Sequence, residues 1–172
     1  MVVETPRMII RHFDMHDVHD LHQILGDAET MALCEPAYTP EKTAAFLQSF
    51  CIDKKGALAA VHRESGRVIG YILFHELEED MYEIGWFFNR KFWRQGLAYE
   101  ACQALIDYAF DHMHAHKIFA ETIDPQRSVR LMEKLGMKQE GVQRSHTRDN
   151  KGNWADLYLY GLLAEEYCAE SR

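Results

Sequence analysis

The run Tyr82-Glu83-Ile84-Gly85-Trp86-Phe87-Phe88-Asn89-Arg90-Lys91-Phe92-Trp93-Arg94-Gln95-Gly96-Leu97-Ala98-Tyr99-Glu100-Ala101 is where residue type and spacing could do chemistry. A strand-type stretch ends in a short cationic loop, and the loop runs straight into a helix. Arg90, Lys91 and Arg94 supply positive charge. Gly96 stands where backbone must approach a ligand closely, and Ala98 where a larger side chain would obstruct it. The first N–H groups of a helix lack intrahelical partners and carry the positive end of its dipole, so they favour an anion. Together these residues make a cradle for phosphate. The cradle is neither a P-loop nor a Rossmann turn, because G-x-x-x-x-G-K-[ST] and G-x-G-x-x-G are both absent. The plainer alternative is a strand–helix corner with glycine at the bend.

Other chemistry finds less support. His16, His19 and His22 step by three along a helix, and His16 and His19 face solvent once Val18, Leu21 and Leu25 face the core. His112 and His116 have i, i+4 spacing but belong to no H-E-x-x-H and have no evident third ligand, so no metal site is expected. Cys34, Cys51, Cys102 and Cys168 form no C-x-x-C pair and read as reduced core thiols of a cytoplasmic protein. With 19 basic and 27 acidic residues the chain carries a formal charge of -8, which disfavours coating nucleic acid. No apolar run reaches the roughly 18 residues of a membrane span. The opening has no long apolar stretch before a small-residue cleavage site, so no signal peptide is expected.

The elements that must position the loop follow from periodicity. Arg7 to Phe13 reads as a strand, and Asp14 caps a helix to about Leu25. A helix from about Pro40 to Cys51 has Thr39 as cap and proline at its first position. Gly56–Val61, Arg67–His75 and Met81–Phe88 read as strands of an antiparallel meander, with turns at Glu64-Ser65-Gly66 and Asp80. Ala98, Ala101, Cys102, Leu105, Ile106, Ala109 and Met113 form one apolar stripe on a long helix. Lys117–Ile123 is a strand and Ser128–Leu135 a helix ended by Gly136. Met137–Thr147 and Trp154–Leu163 close the chain as strands around a hairpin turn. The order βααβββαβαββ predicts a mixed α/β single domain over residues 1–172.

Four segments, in order between about residues 4 and 167, resemble the GNAT superfamily of acetyl-CoA-dependent N-acetyltransferases, and within it the ribosomal-protein (RimJ/RimL-like) branch. They are Trp93-Arg94-Gln95-Gly96-Leu97-Ala98, the opening Glu4-Thr5-Pro6-Arg7-Met8-Ile9-Ile10-Arg11, the stretch Ser128 to Met137, and Gly152-Asn153-Trp154-Ala155-Asp156 with Tyr158-Leu159-Tyr160. The resemblance implies a GNAT-like domain with a mostly antiparallel, twisted central sheet. Two parallel strands splay to admit the pantetheine arm of acetyl-CoA, which bonds exposed backbone of Trp86 and Phe88, with Phe87 between them. The pyrophosphate sits on the amides of Arg94, Gln95, Gly96, Leu97, Ala98 and Tyr99, beside Trp93. The helix from Ser128 flanks the cofactor, with Leu131 and Lys134 facing it.

The chain departs from its relatives at two places. Pro125 stands where many carry an asparagine that bonds the pantetheine, with Arg127 as a substitute. Met132 stands where many carry the tyrosine that protonates the leaving thiolate, which makes Ser128 the acid candidate. The alternative role for Ser128 is the helix N-cap. The amine must be neutral to attack, so a base is needed, and Glu83 is the candidate on the splayed strand. His75, Glu76, Glu78 and Glu79 form either an acidic rim that attracts a cationic amine or a solvated turn. The expected reaction is acetyl transfer to a primary amine, first of all a protein or peptide α-amine. A polyamine, amino acid or aminoglycoside is the alternative acceptor, and a non-catalytic CoA-binding module the alternative class. A homodimer is among the expectations. The acceptor pocket is expected between about Gly26 and Cys51.

Overall fold

A computed structural model describes residues 1–170, with side chains described through residue 167. Its frame is an eight-stranded sheet in the order β1-β2-β3-β4-β5-β6-β8-β7. The strands are β1 Val2–Glu4, β2 Met8–His12, β3 Ala57–His62, β4 Val68–Glu78, β5 Met81–Phe88, β6 Lys117–Thr122, β7 Lys138–Arg148 and β8 Trp154–Leu163. Every neighbouring pair is antiparallel except β5 and β6. The helices are α1 Val18–Leu25, α2 Pro40–Phe46, α3 Leu97–His112, α4 Arg127–Lys134 and α5 Ala164–Glu170.

Alternation along the strands gives the sheet two apolar faces, and each is covered by helices. On one face Ile10, Leu58, Ile72, Ile84 and Ile118 pack against Leu97, Ala101, Leu105 and Ile106 of α3 and Met132 of α4. On the other, Ala57, Ala59, Tyr71 and Val68 pack against Leu21, Ile24 and Leu25 of α1 and Leu47 and Cys51 beyond α2. The long apolar stripe expected of α3 is the buried stripe it presents to the sheet.

Local signals account for most boundaries. Asp14 opens the first helical segment by accepting from His16 N, and Asp17 returns the bond to Asp14 N, a reciprocal cap. Thr39 accepts from Lys42 N at the start of α2. Three features differ from expectation. A short strand, β1, precedes the expected first strand, and α5 follows the expected last one. The helix expected from Pro40 to Cys51 is α-helical only to Phe46 and continues as a π-helical segment, Leu47–Asp53. The cysteine expectation is corrected at one position. Cys51 and Cys102 are buried, but Cys34 is exposed, because the loop around it has no apolar periodicity to draw it inward. The side chain of Cys168 lies outside the described residues.

Candidate active site

β5 and β6 run parallel but pair over only three residues, Met81–Glu83 with Lys117–Phe119. Beyond Glu83 they part, and β5 continues alone on that side to Phe88. The N–H of Asn89 donates to Ile69 O of β4 at 2.8 Å. Backbone polar groups alternate sides along a strand, so those of Phe87 and Gly85 also face β4. Those of Trp86 and Phe88, beyond the last paired residues, face the gap. The backbone of Trp86 and Phe88 is therefore brought to the opening. Phe87 is turned away, and its ring packs on Tyr71 at 5.8 Å in the core beneath α1 and α2.

At the open end of the gap lies the loop before α3. Asn89 accepts from Lys91 N and starts a single helical turn. Arg94 and Gly96 then take φ values of 61° and 76°. Glycine adopts that region without strain, and such left-handed residues turn successive N–H groups toward one side. Gly96 supplies no capping side chain to α3. Among the described residues, the N–H groups of 94–99 meet no acceptor. A ring of donors on a helix N-terminus suits the pyrophosphate of a coenzyme. Of the three cations, Arg90 is tied to Asp27 and Glu29, each at 3.3 Å. Lys91 and Arg94 are exposed.

The loop is braced from two sides. The indole Nε1 of Trp93 donates to Phe88 O at 2.7 Å, so one gap-facing carbonyl already has a partner. The Arg127 guanidinium of α4 lies 5.4 Å from that indole, and Lys134 Nζ lies 4.1 Å from the ring of Tyr99. The other brace was not foreseen from sequence. Arg7 Nη1 donates to Gln95 O at 2.9 Å, and its Nε to Glu100 Oε2 at 2.7 Å. Thr5 Oγ1 donates to Glu100 Oε1 at 2.7 Å. Burial pushes the Glu100 carboxyl up, but the bonds from Thr5 and Arg7 outweigh it and hold the group below its ordinary value. The opening segment that resembles the family's therefore buttresses the loop. Its only sequence signal was its co-occurrence with the loop motif.

Ser128 lies in the first turn of α4 and is half-buried. It is not the cap. The Asp124 carboxylate accepts from the N–H groups of Gln126 and Arg127, both at 3.0 Å. An aspartate before Pro125 can fold back over the first turn, which is why the capping role falls to it. Leu131 packs partly buried against the core, and Met132 is wholly buried in it, so Met132 offers no group to a ligand.

Glu83 stands at the vertex where β5 and β6 part, on the face of α1 and α2, with its side chain 18% exposed. His75 Nε2 of β4 lies 3.0 Å from Glu83 Oε2. Partial desolvation at the sheet face, and after it the charge of nearby Glu83, raises the carboxyl of the largely exposed Glu121 of β6, while His146 of β7 opposes the rise. Burial raises the Tyr71 phenol on the same face. Glu76 and Glu78 at the end of β4 and Glu79 in the turn are exposed, and Glu76 accepts from Asp80 N. The phosphate cradle and Glu83 thus lie on opposite faces of the sheet, joined through the gap. A thioester reaching through from one side would meet an amine arriving from the other.

Similarity to known proteins agrees with this geometry. Residues 7–138 match the model of the acetyltransferase (GNAT) domain family. The chain is 35% identical over 172 residues to YnaD, an uncharacterized N-acetyltransferase of Bacillus subtilis, covering 97% of this chain and 99% of that protein. It is 30% identical over 108 residues to YdaF of Bacillus subtilis, named a putative ribosomal N-acetyltransferase, covering 61% and 58%. The crystal structure of a GNAT-family acetyltransferase from Bacillus anthracis superposes with a TM-score of 0.86 at 31% identity, covering 96% of this chain and 99% of that one. No helix among the described residues is long and apolar enough to cross a membrane. A strand pair that opens above an uncapped helix, in a chain so related, belongs to an acyltransferase of the GNAT family that uses acetyl-CoA.

Proposed function

We propose that the chain acetylates the α-amino group of a protein or peptide N-terminus, as a member of the ribosomal-protein branch. The observation that carries the reaction is the three-residue β5–β6 seam with Glu83 at its end. The branch rests on the four resembling segments and on the partial match to YdaF, whose name points the same way.

In this reading acetyl-CoA supplies the activated thioester. The amides of Arg94–Tyr99 bind its pyrophosphate, and Lys134 and Leu131 flank it. Gap-facing N–H groups of β5 hold the pantetheine and offer a fixed donor where the thioester oxygen gains charge. Glu83 takes a proton from the ammonium, so that the neutral amine attacks. The N–C bond forms, the C–S bond breaks, and Ser128 Oγ–H gives the departing sulfur its proton while the proton shed by the new amide nitrogen restores the hydroxyl. A small diamine is the second reading, favoured by Glu121, whose carboxylate on the acceptor side suits a second ammonium.

The test measures free thiol release against N-terminal peptides and polyamines across pH. An α-amino acceptor, with a pKa of about 7.7–8.0, gives a rate that levels off near pH 8. An alkylammonium with a pKa near about 10 gives a rate that keeps climbing, and that result replaces the peptide reading with the diamine one.

A further inference from the structure

The fold gives Glu83 a partner that the bare sequence does not. β4 and β5 form a hairpin in which Glu78 opposes Met81, but Glu76 opposes Tyr82, so the register slips by one residue at Leu77. Without that bulge, Glu76 would stand opposite Glu83. With it, His75 does. A bulge re-aims the side chains that precede it, and here it exchanges a carboxylate for an imidazole.

His75 is held in its turn. The ring of Phe50 meets the imidazole edge-on, with centroids 6.0 Å apart and planes at 70°. Phe50 belongs to the π-helical segment Leu47–Asp53, a wider turn that shifts each side chain around the helix relative to an α-helix. Phe46 stacks on Phe50 at 5.2 Å. Gly56 lies against the same ring: a Cβ there would stand 2.5 Å from Phe50 Cζ. Glycine at 56 makes room for the ring that backs the imidazole.

We propose that His75 and Phe50 are positioning residues for Glu83, an inference that rests on Glu83 being the base. An ionised carboxylate only accepts, so His75 presents Nε2–H to Oε2. That bond fixes the carboxylate at the seam and leaves Oε1, which has no protein partner among the described residues, to receive the amine proton. His75 touches neither substrate and passes no proton.

The experiment compares kcat and both KM values for His75→Ala, His75→Gln, Phe50→Leu and Glu83→Gln. Misplacing a reacting group by about 1 Å costs on the order of 10²-fold, so His75→Ala should lose about 10-fold to 10²-fold in kcat with KM for acetyl-CoA unchanged. His75→Gln can present an amide N–H in place of Nε2–H and should recover most of the loss. Phe50→Leu should lose less than His75→Ala, again in kcat. The double variant His75→Ala/Glu83→Gln should be no slower than Glu83→Gln alone. Wild-type kcat in His75→Ala beside a slow Glu83→Gln overturns the positioning role and leaves the base standing. Equal losses in His75→Ala and His75→Gln, with the acetyl-CoA-induced rise in Tm intact in both, overturn the donor role. Wild-type kcat in Glu83→Gln overturns the base reading and this inference together.

Discussion

At the head of α4, Asp124 accepts the first-turn N–H groups and leaves the Ser128 hydroxyl free of that task. The two roles open to Ser128 in the sequence therefore separate cleanly by mutation. Ser128→Ala should lower kcat without moving Tm, whereas removing the cap in Asp124→Ala should cost about 1 kcal/mol of stability. Paired activity and melting measurements decide it: a Ser128→Ala enzyme with full kcat removes the hydroxyl from the chemistry. Glu83→Gln keeps the shape and removes the proton acceptor. Loss of a general base costs on the order of 10²–10⁴ in rate, and the lower end is expected because a water chain can partly substitute. Its rate should still climb with pH, because the acceptor's own pKa sets that climb, but to a lower plateau, which a pH–rate profile reads directly. Glu83 was legible because strand periodicity and the position of the loop locate the reacting end of β5. His75 was not, because a one-residue bulge decides which neighbour faces Glu83, and residue types around Leu77 do not encode it.

The loop before α3 was the most legible element, since Gly96, Ala98 and three cations fall within nine residues. Gly96 is there for its backbone: a Cβ would meet only Arg7 Nη2 at 3.7 Å, but φ is +76°. Gly96→Val, β-branched in the left-handed region, should distort the amide ring. The expected result is a folded protein whose Tm no longer rises with acetyl-CoA. The wild-type rise corresponds to about 2.7 kcal/mol at ligand 100-fold above Kd. An unchanged rise would put the phosphates elsewhere. Elements defined by packing rather than pattern were less legible. β1 is three residues long and is a strand because β2 pairs with it. The π-helical segment follows α2 without a breaker, and the residues from Leu47 to Asp53 give no cue that the ladder widens.

Across the molecule, carboxylates tie distant segments together, and this sets its acid limit. The Arg67 guanidinium and the Val68 N–H hold Asp20 below its ordinary value, so α1 is fastened to the sheet. Glu100 is held low by Thr5 and Arg7, despite burial, and joins α3 to the chain's opening. Asp124 is held low by the N–H groups of Arg127 and Gln126, again despite burial. A carboxyl whose folded pKa is depressed contributes stability in full above its unfolded value, about 4, and loses it as pH falls through the folded value. Unfolding free energy should therefore be flat in these groups above about pH 5 and fall below about pH 4, as denaturant titrations at stepped pH would record. A molecule equally stable at pH 3 and pH 6 would deny these three contacts their role.

The short β5–β6 seam has a mechanical meaning as well. Five strands lie on one side of it and three on the other, and between the two groups the ladder is three residues long. The sheet is closer to two plates sharing a hinge than to one continuous plate. A long thin molecule lying in the opening acts as a stitch, since it supplies part of the ladder that the strands themselves omit. Deuterium should accordingly enter the amides of Trp86 and Phe88 quickly in the free protein and slowly once acetyl-CoA is bound. Those of β3, deep within one plate, should exchange at the same slow rate in both.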